Sequence, residues 1–294
     1  MISEIHVKSV LNKHKKRDAW FLDDYSVNPY ESCSFNCLYC YIRGSKYGTN
    51  LEEKLSVKVN APEILEKQLR FRAKKSQYGI IALASATDPY LPIENERNIT
   101  RRFLELFVQY KFPVYVLTKS TLIIRDIPLL KKIDTNAILP NDLIGKLQHR
   151  AIVSFSLSTL DEKISSHLEP GASTPKERLE TMLRCKNEGL YVGVNCIPLL
   201  PFLSDSDEQL EDIISTAKEF GADFIFVGGL TLFGNGQADS KTLYFHFLEK
   251  FFPHLLPKYE QLFSGDFLPR YYENNLRLRA KKICSKYKIR IGLI

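Results

Sequence analysis

The sequence predicts an α/β fold, with one parallel β-sheet and helices packed outside it. Three observations carry this. Six short apolar stretches alternate with segments of helical period between about residues 25 and 230. Each predicted strand runs into polar residues at its C-terminal end, the edge where α/β proteins build sites. The chain has 294 residues, of which 44% are hydrophobic and 26% charged, enough for one large α/β unit with its own core. Periodicity alone leaves an open doubly wound sheet and a partial barrel as equal readings.

Taken in order, residues 1–24 are polar and then aromatic at Trp20 and Phe21, and read as an N-terminal arm docking near the loop that follows. Tyr25 to Tyr30 is strand-like; Pro29 has no N–H for a ladder and should end it. Ala61 to Lys75 has helical spacing with Pro62 in its first turn. Gly79 to Ser85 is an apolar strand, Glu94 to Tyr110 one amphipathic helix, Pro113 to Leu117 a strand. Leu122 to Ile133 is helical or turn-rich. Residues 134–149 show no clear period and read as an insertion. Ala151 to Leu157 is a strand, Pro175 to Gly189 a helix closed by glycine, Tyr191 to Ile197 a strand stopped by Pro198. Ser206 to Phe220 is a helix with an acidic first turn, and Ala222 to Val227 is the sixth strand. The tail from about 231 is aromatic-rich, with helices expected near 239–263 and 271–287 and a strand from Ile289 to Leu293. It reads as an extension covering the open end of residues 25–230.

The most informative stretch is Cys33-Ser34-Phe35-Asn36-Cys37-Leu38-Tyr39-Cys40-Tyr41. Three thiolates on one short loop can hold three irons of a [4Fe–4S] cluster and leave the fourth iron open to a ligand. Two other readings stand beside it. The cysteines can be three ligands of a structural zinc site, although the next His and Cys along the chain are distant, at His149 and Cys185. They can also be buried thiols. Cys185 and Cys284 lie within helical patterns and read as packed thiols. Cys196, at the end of the fifth strand, is expected to face the open mouth, where a thiol can donate a hydrogen atom.

The strand ends supply Thr87 and Asp88, then Thr118 and Lys119, then Ser156. An amino acid joined to a ribose needs a cation, hydroxyls and carbonyls around it. Lys119 can meet a carboxylate, and Thr87 and Ser156 can bond amino or ribose groups. For a single Ser or Thr, a local turn bond is the plainer reading.

The C-x3-C-x2-C motif resembles the signature of the radical S-adenosylmethionine (radical SAM) superfamily. Thr87-Asp88, Thr118-Lys119, Ser156, Leu168-Glu169-Pro170-Gly171, Glu177 to Glu180 and the turn Pro198 to Pro201 resemble the branch containing spore photoproduct lyase, over roughly residues 25–230. The resemblance implies a partial (β/α)6 barrel of TIM type. It implies Cys33, Cys37 and Cys40 on a [4Fe–4S] cluster, and S-adenosylmethionine (SAM) held by Thr87, Asp88, Lys119 and Ser156. It implies a 5′-deoxyadenosyl radical and active-site roles for Tyr39 and Tyr41, whose other reading is packing over the cluster. It also implies an external reductant such as flavodoxin or ferredoxin. One departure matters. The lyase carries a hydrogen-donating cysteine three residues before the aspartate that Asp88 matches, and here Ser85 stands there.

The formal charge of +7 is compatible with a polyanionic partner, although Lys13 to Arg17 and Arg277 to Lys282 also suit solvated faces. No apolar run is long enough to span a bilayer. The basic, coreless N-terminus does not read as a secretory signal. Six cysteines in so long a chain are no secreted disulfide scaffold. A cytoplasmic setting is expected. The leading functional reading is a radical enzyme acting as a DNA-lesion lyase. The alternatives are a radical enzyme acting on peptide, RNA or a small molecule, and a non-catalytic nucleic-acid-binding protein stapled by metal.

Overall fold

A computed structural model describes residues 2–45 and 55–294. Its strands are β1 (Ile2–Ile5), β2 (Asn12–Lys13), β3 (Asp23–Val27), β4 (Tyr30–Glu31), β5 (Leu55–Lys58), β6 (Ile80–Leu83), β7 (Val114–Thr118), β8 (Ala151–Ser156), β9 (Tyr191–Cys196), β10 (Phe224–Val227) and β11 (Arg290–Ile291). β3, β6, β7, β8, β9 and β10 are neighbours in that order, all parallel. β11 extends the sheet in parallel beyond β10, and β2 pairs antiparallel at the other edge. The sheet is therefore an unclosed barrel with helices outside, the partial TIM-type barrel.

The helices are α1 (Ala61–Lys74), α2 (Glu94–Arg97), α3 (Ile99–Tyr110), α4 (Ile127–Asn136), α5 (Glu162–Leu168), α6 (Pro175–Asn187), α7 (Asp207–Glu219), α8 (Ser240–Phe251), α9 (Leu256–Leu262) and α10 (Arg270–Tyr287). Local chemistry sets many of their ends. Thr174 with Glu177, and Ser206 with Gln209, form reciprocal capping boxes at the starts of α6 and α7.

Four expectations need correction. Glu94 to Tyr110 is two helices, because Asn98 adopts a left-handed conformation (φ 53°) that breaks the ladder. The long tail helix near 239–263 is likewise divided, at Pro253 and Pro257. The N-terminal arm is not simply docked: β1 pairs with β5, and β4 completes a separate three-stranded sheet. α5 lies in a stretch where no helix was expected. Its N-cap Asp161 accepts from the main-chain N–H of Lys163 and Ile164.

Strand alternation divides the core in two. Ile81, Leu83, Val114, Val116, Val153, Val192, Val194 and Ile225 face the helices. Ile80, Tyr115, Ile152, Phe224 and Phe226 fill the barrel interior with Leu22 and Leu293. The unpatterned stretch 134–149 joins this inner cluster through Leu139, Leu143 and Leu147. Only a short 3-10 turn, Asn141–Leu143, forms there after α4 ends at Asn136.

Candidate active site

The cysteine loop follows β3 and β4 and is built largely by contacts from far along the chain. The N–H of Leu38 donates to Leu168 O (2.9 Å), and that of Gly171 to Phe35 O (3.0 Å). On the other side, Arg43 is buried; its guanidinium donates to Cys37 O (3.1 Å) and to Ala238 O (3.2 Å). Ser240 Oγ donates to Arg43 O (3.3 Å). Gly44 (φ 75°) leaves no room for a Cβ, which would sit 2.7 Å from Phe233 O. The C-terminal segment thus seats directly on the cysteine loop.

Cys33, Cys37 and Cys40 open on one cavity of about 430 Å³, with Thr87, Asp88, Lys119, Ser156, Asn195, Tyr39, Tyr41 and Ser85 also on its wall. Its lining holds no fourth cysteine and no histidine among the described residues. Burial raises all three thiols, Cys33 to about 12. A trio of thiolates here therefore needs cationic charge beside it, which an iron centre supplies.

Among the described residues, no three His, Cys, Asp or Glu side chains are gathered closely enough to share one metal ion. A zinc staple requires such convergence. A [4Fe–4S] cluster does not, since each thiolate takes a different iron. The donor set fits a cluster with one open corner, and among the described residues no fourth zinc ligand joins the three cysteines on the cavity wall.

The polar wall fits an amino-acid nucleoside. Lys119 Nζ donates to Ser156 Oγ, lies 3.4 Å from Glu169 Oε1, and is 12% exposed on its side chain. Thr87 Oγ1 donates to Ser32 O (2.6 Å) and ties the end of β6 to the turn before Cys33. Asn195, not singled out from the sequence, is the register partner of Ser156 across β8 and β9. It is 2% exposed, and its Oδ1 has no partner among the described residues. A buried acceptor on the cavity wall calls for a donor from whatever fills the cavity, water or ligand. The parity of β9 was the signal that could have found it.

Asp88 also lines the cavity, but its carboxylate is committed to the chain. It accepts from Thr118 Oγ1 (2.8 Å), Tyr90 N (2.8 Å) and Lys119 N (2.8 Å). Burial raises it, and these bonds oppose the rise. It shapes the corner that presents Lys119 rather than offering a free acceptor.

The expectation for Cys196 is overturned. Its neighbours Asn195 and Ile197 line the cavity; Cys196 is fully buried in the outer core that also holds Cys185 and Cys284. Successive side chains on a strand point to opposite faces, and Cys196 has the wrong parity for the mouth.

The two tyrosines are placed very differently. Tyr39 is 5% exposed, and its hydroxyl is bound by Glu169 and by Ser158 Oγ (2.7 Å). Burial first, then the charge of Glu169, raises it well above an ordinary phenol. Tyr41 is 50% exposed at the cavity rim, and its hydroxyl donates to Ser85 O (2.5 Å).

Glu169 was part of a motif but was not read as a site residue. It is 3% exposed and accepts from Tyr39, Arg178 and Ser158 (3.3 Å). Burial alone would raise it; Lys119 and Arg178 overcome that and hold it at about 2.

An uncharacterised protein of Mycobacterium tuberculosis is 29% identical over 293 residues, covering 97% of this chain and 81% of that protein. The fold is similar to that of a spore photoproduct lyase variant, with a TM-score of 0.68 at 14% identity, covering 98% of this chain and 81% of the lyase. Another lyase structure, with bound AdoMet and dinucleoside spore photoproduct, has a TM-score of 0.63 at 13% identity, covering 97% and 80%. The family model of the radical SAM superfamily matches residues 27–217, well over half of the chain. With its cysteine loop, its parallel partial barrel and that match, this chain belongs to the radical SAM superfamily.

Proposed function

We propose that the protein binds a [4Fe–4S] cluster through Cys33, Cys37 and Cys40, binds SAM beside it, and acts on a nucleic-acid lesion in the manner of a lyase. The observation that carries this is the shared cavity: three thiols on one wall, and Lys119, Ser156, Thr87 and the unpaired Asn195 on the others. When bound, the cluster and SAM would supply a 5′-deoxyadenosyl radical. Lys119 would meet the methionine carboxylate. Asn195 and Ser156 would take the hydroxyl or amino groups, and Ile197 with Leu117 would pack against the flat ring.

Among the described residues, Tyr41 is the side chain best placed to give a hydrogen atom. Its phenol lies against Ser85, where the lyase branch carries its donor cysteine, whereas Tyr39 is locked and Cys196 is turned away. In the donation, the Tyr41 O–H bond breaks and a C–H bond forms on a substrate radical. The phenoxyl radical left behind then takes one electron and one proton, the electron coming from a flavodoxin- or ferredoxin-type reductant.

Support for nucleic acid comes from the +7 charge and its placement. Arg277 and Lys281 on α10 line a second cavity beside the barrel edge, with Arg277 over the Trp20 ring at 5.0 Å. Among the described residues, no helix is long and apolar enough to cross a membrane.

The test is anaerobic reconstitution. The protein should take up about four irons and four sulfides per chain and, with dithionite, release 5′-deoxyadenosine from SAM. Damaged DNA should exchange deuterium with that product. A Cys37→Ala protein that still released 5′-deoxyadenosine would refute the assignment; release without any response to DNA would redirect it to another substrate.

A further inference from the structure

A buried carboxylate joins the two halves of the cofactor cavity. Glu169 sits just after α5, and Arg178 sits on the first turns of α6. Arg178 is 1% exposed, donates to the Glu169 carboxylate, and also donates to Ser156 O (2.9 Å) and Ser173 O (2.8 Å). From the same carboxylate one bond runs to Tyr39, between Cys37 and Cys40, and one ionic contact runs to Lys119 Nζ at 3.4 Å. Ser158 (3.3 Å) and Ser165 (3.4 Å) complete its shell.

Stability does not explain this arrangement. A buried ion pair roughly breaks even against apolar packing at best, because both charges lose their water. Charge balance gives a better reason. Glu169 alone beside Lys119 would neutralise it. Arg178 offsets Glu169, so the Lys119 ammonium keeps its charge toward the cavity while its position is still fixed by Glu169 and Ser156.

We propose that Glu169 is a positioning residue for the cofactor pocket. It sets the place of the Lys119 ammonium and of the Cys37–Cys40 turn together, with Arg178 as the counter-charge that leaves Lys119 free to bind a carboxylate. Tyr39 is then a strut between Glu169 and the cysteine loop and takes no part in radical transfer. This inference rests on the radical SAM reading of the cavity, with Lys119 as the carboxylate partner.

The test uses the reconstituted holoprotein and two ligands, SAM and its decarboxylated analogue, with affinities measured by equilibrium dialysis. The wild type should prefer SAM. In Glu169→Gln the iron content should hold, while the preference for SAM falls by roughly tenfold, the worth of one charged hydrogen bond. The direction is diagnostic. If Glu169 acted through its charge alone, removing that charge would raise the preference for the carboxylate. An unchanged or raised preference overturns the proposal. Should the Gln variant fail to fold, Glu169→Asp keeps the charge but withdraws the carboxylate by one methylene, and the same fall is expected. Tyr39→Phe reads the other arm: it should leave the preference unchanged and speed iron loss to a chelator severalfold, and unaltered iron retention would overturn the strut. If the wild type binds neither ligand, the cofactor reading fails rather than this one.

Discussion

Gly171 and Phe35 are in backbone contact across 136 residues of chain: the Gly171 N–H donates to Phe35 O at 3.0 Å, and a Cβ at 171 would fall 2.5 Å from Ser34 O. The segment after α5 is therefore the back wall of the cysteine loop, and there is no space between them. Gly171→Ala must push the loop away. It should cost about 1–3 kcal/mol of stability, the usual range for overpacking, and lower the iron retained after reconstitution. Thermal unfolding and iron analysis on the same sample check both.

Lys119→Met should leave the cluster in place and weaken SAM binding by roughly tenfold to a hundredfold, as loss of a charge-assisted contact predicts. Glu169 would keep Arg178 as its partner, so folding should survive. Equilibrium dialysis with the reconstituted protein measures it; full SAM affinity in the variant would remove Lys119 from the site.

Tyr41→Phe should uncouple the reaction. Release of 5′-deoxyadenosine should continue while repaired product falls by at least about tenfold, consistent with loss of a positioned transfer group. Cys196→Ala should leave both unchanged, since its sulfur lies in the outer core. Product assays on the two variants side by side decide between the donors.

Asp23 is buried on the inner wall of the barrel, 3.1 Å from His14 Nδ1. Burial raises its carboxyl from 3.8 to about 6, against the pull of His14. A carboxyl raised on folding holds its proton in the native state over a range where the unfolded chain has lost it. Its effect on stability is therefore favourable below pH 3.8 and is lost as pH rises through about 6. Asp23→Asn should gain in melting temperature relative to wild type between pH 4 and pH 6. Parallel curves over that interval would show that Asp23 does not titrate there.

If nucleic acid runs past the barrel edge, Arg277→Glu with Lys281→Glu should weaken DNA binding and lower the salt slope by about one to two. Trp20, the single tryptophan, lies under Arg277 and reports on that edge by fluorescence. Binding that ignores both charges would place the DNA elsewhere.

Much of this molecule was legible in the one-dimensional chain. The cysteine spacing, the six strands and most helix ends follow from local chemistry: three sulfurs on one loop, apolar runs, capping residues, proline and glycine. That Lys119, Ser156 and Thr87 stand on one cavity wall followed from their places at strand ends. What only the tertiary structure decided is which way each side chain points and what meets it. Every residue of β8 is buried, so exposure does not separate its two faces, and in β9 only the alternation of Val192, Val194 and Cys196 against Asn195 tells the core face from the cavity face. The joining of Glu169, Arg178, Lys119 and Tyr39 depends on contacts up to 130 residues apart. No local pattern encodes these, because the carboxylate becomes a site only when burial strips its water and the fold puts two cations and a phenol around it.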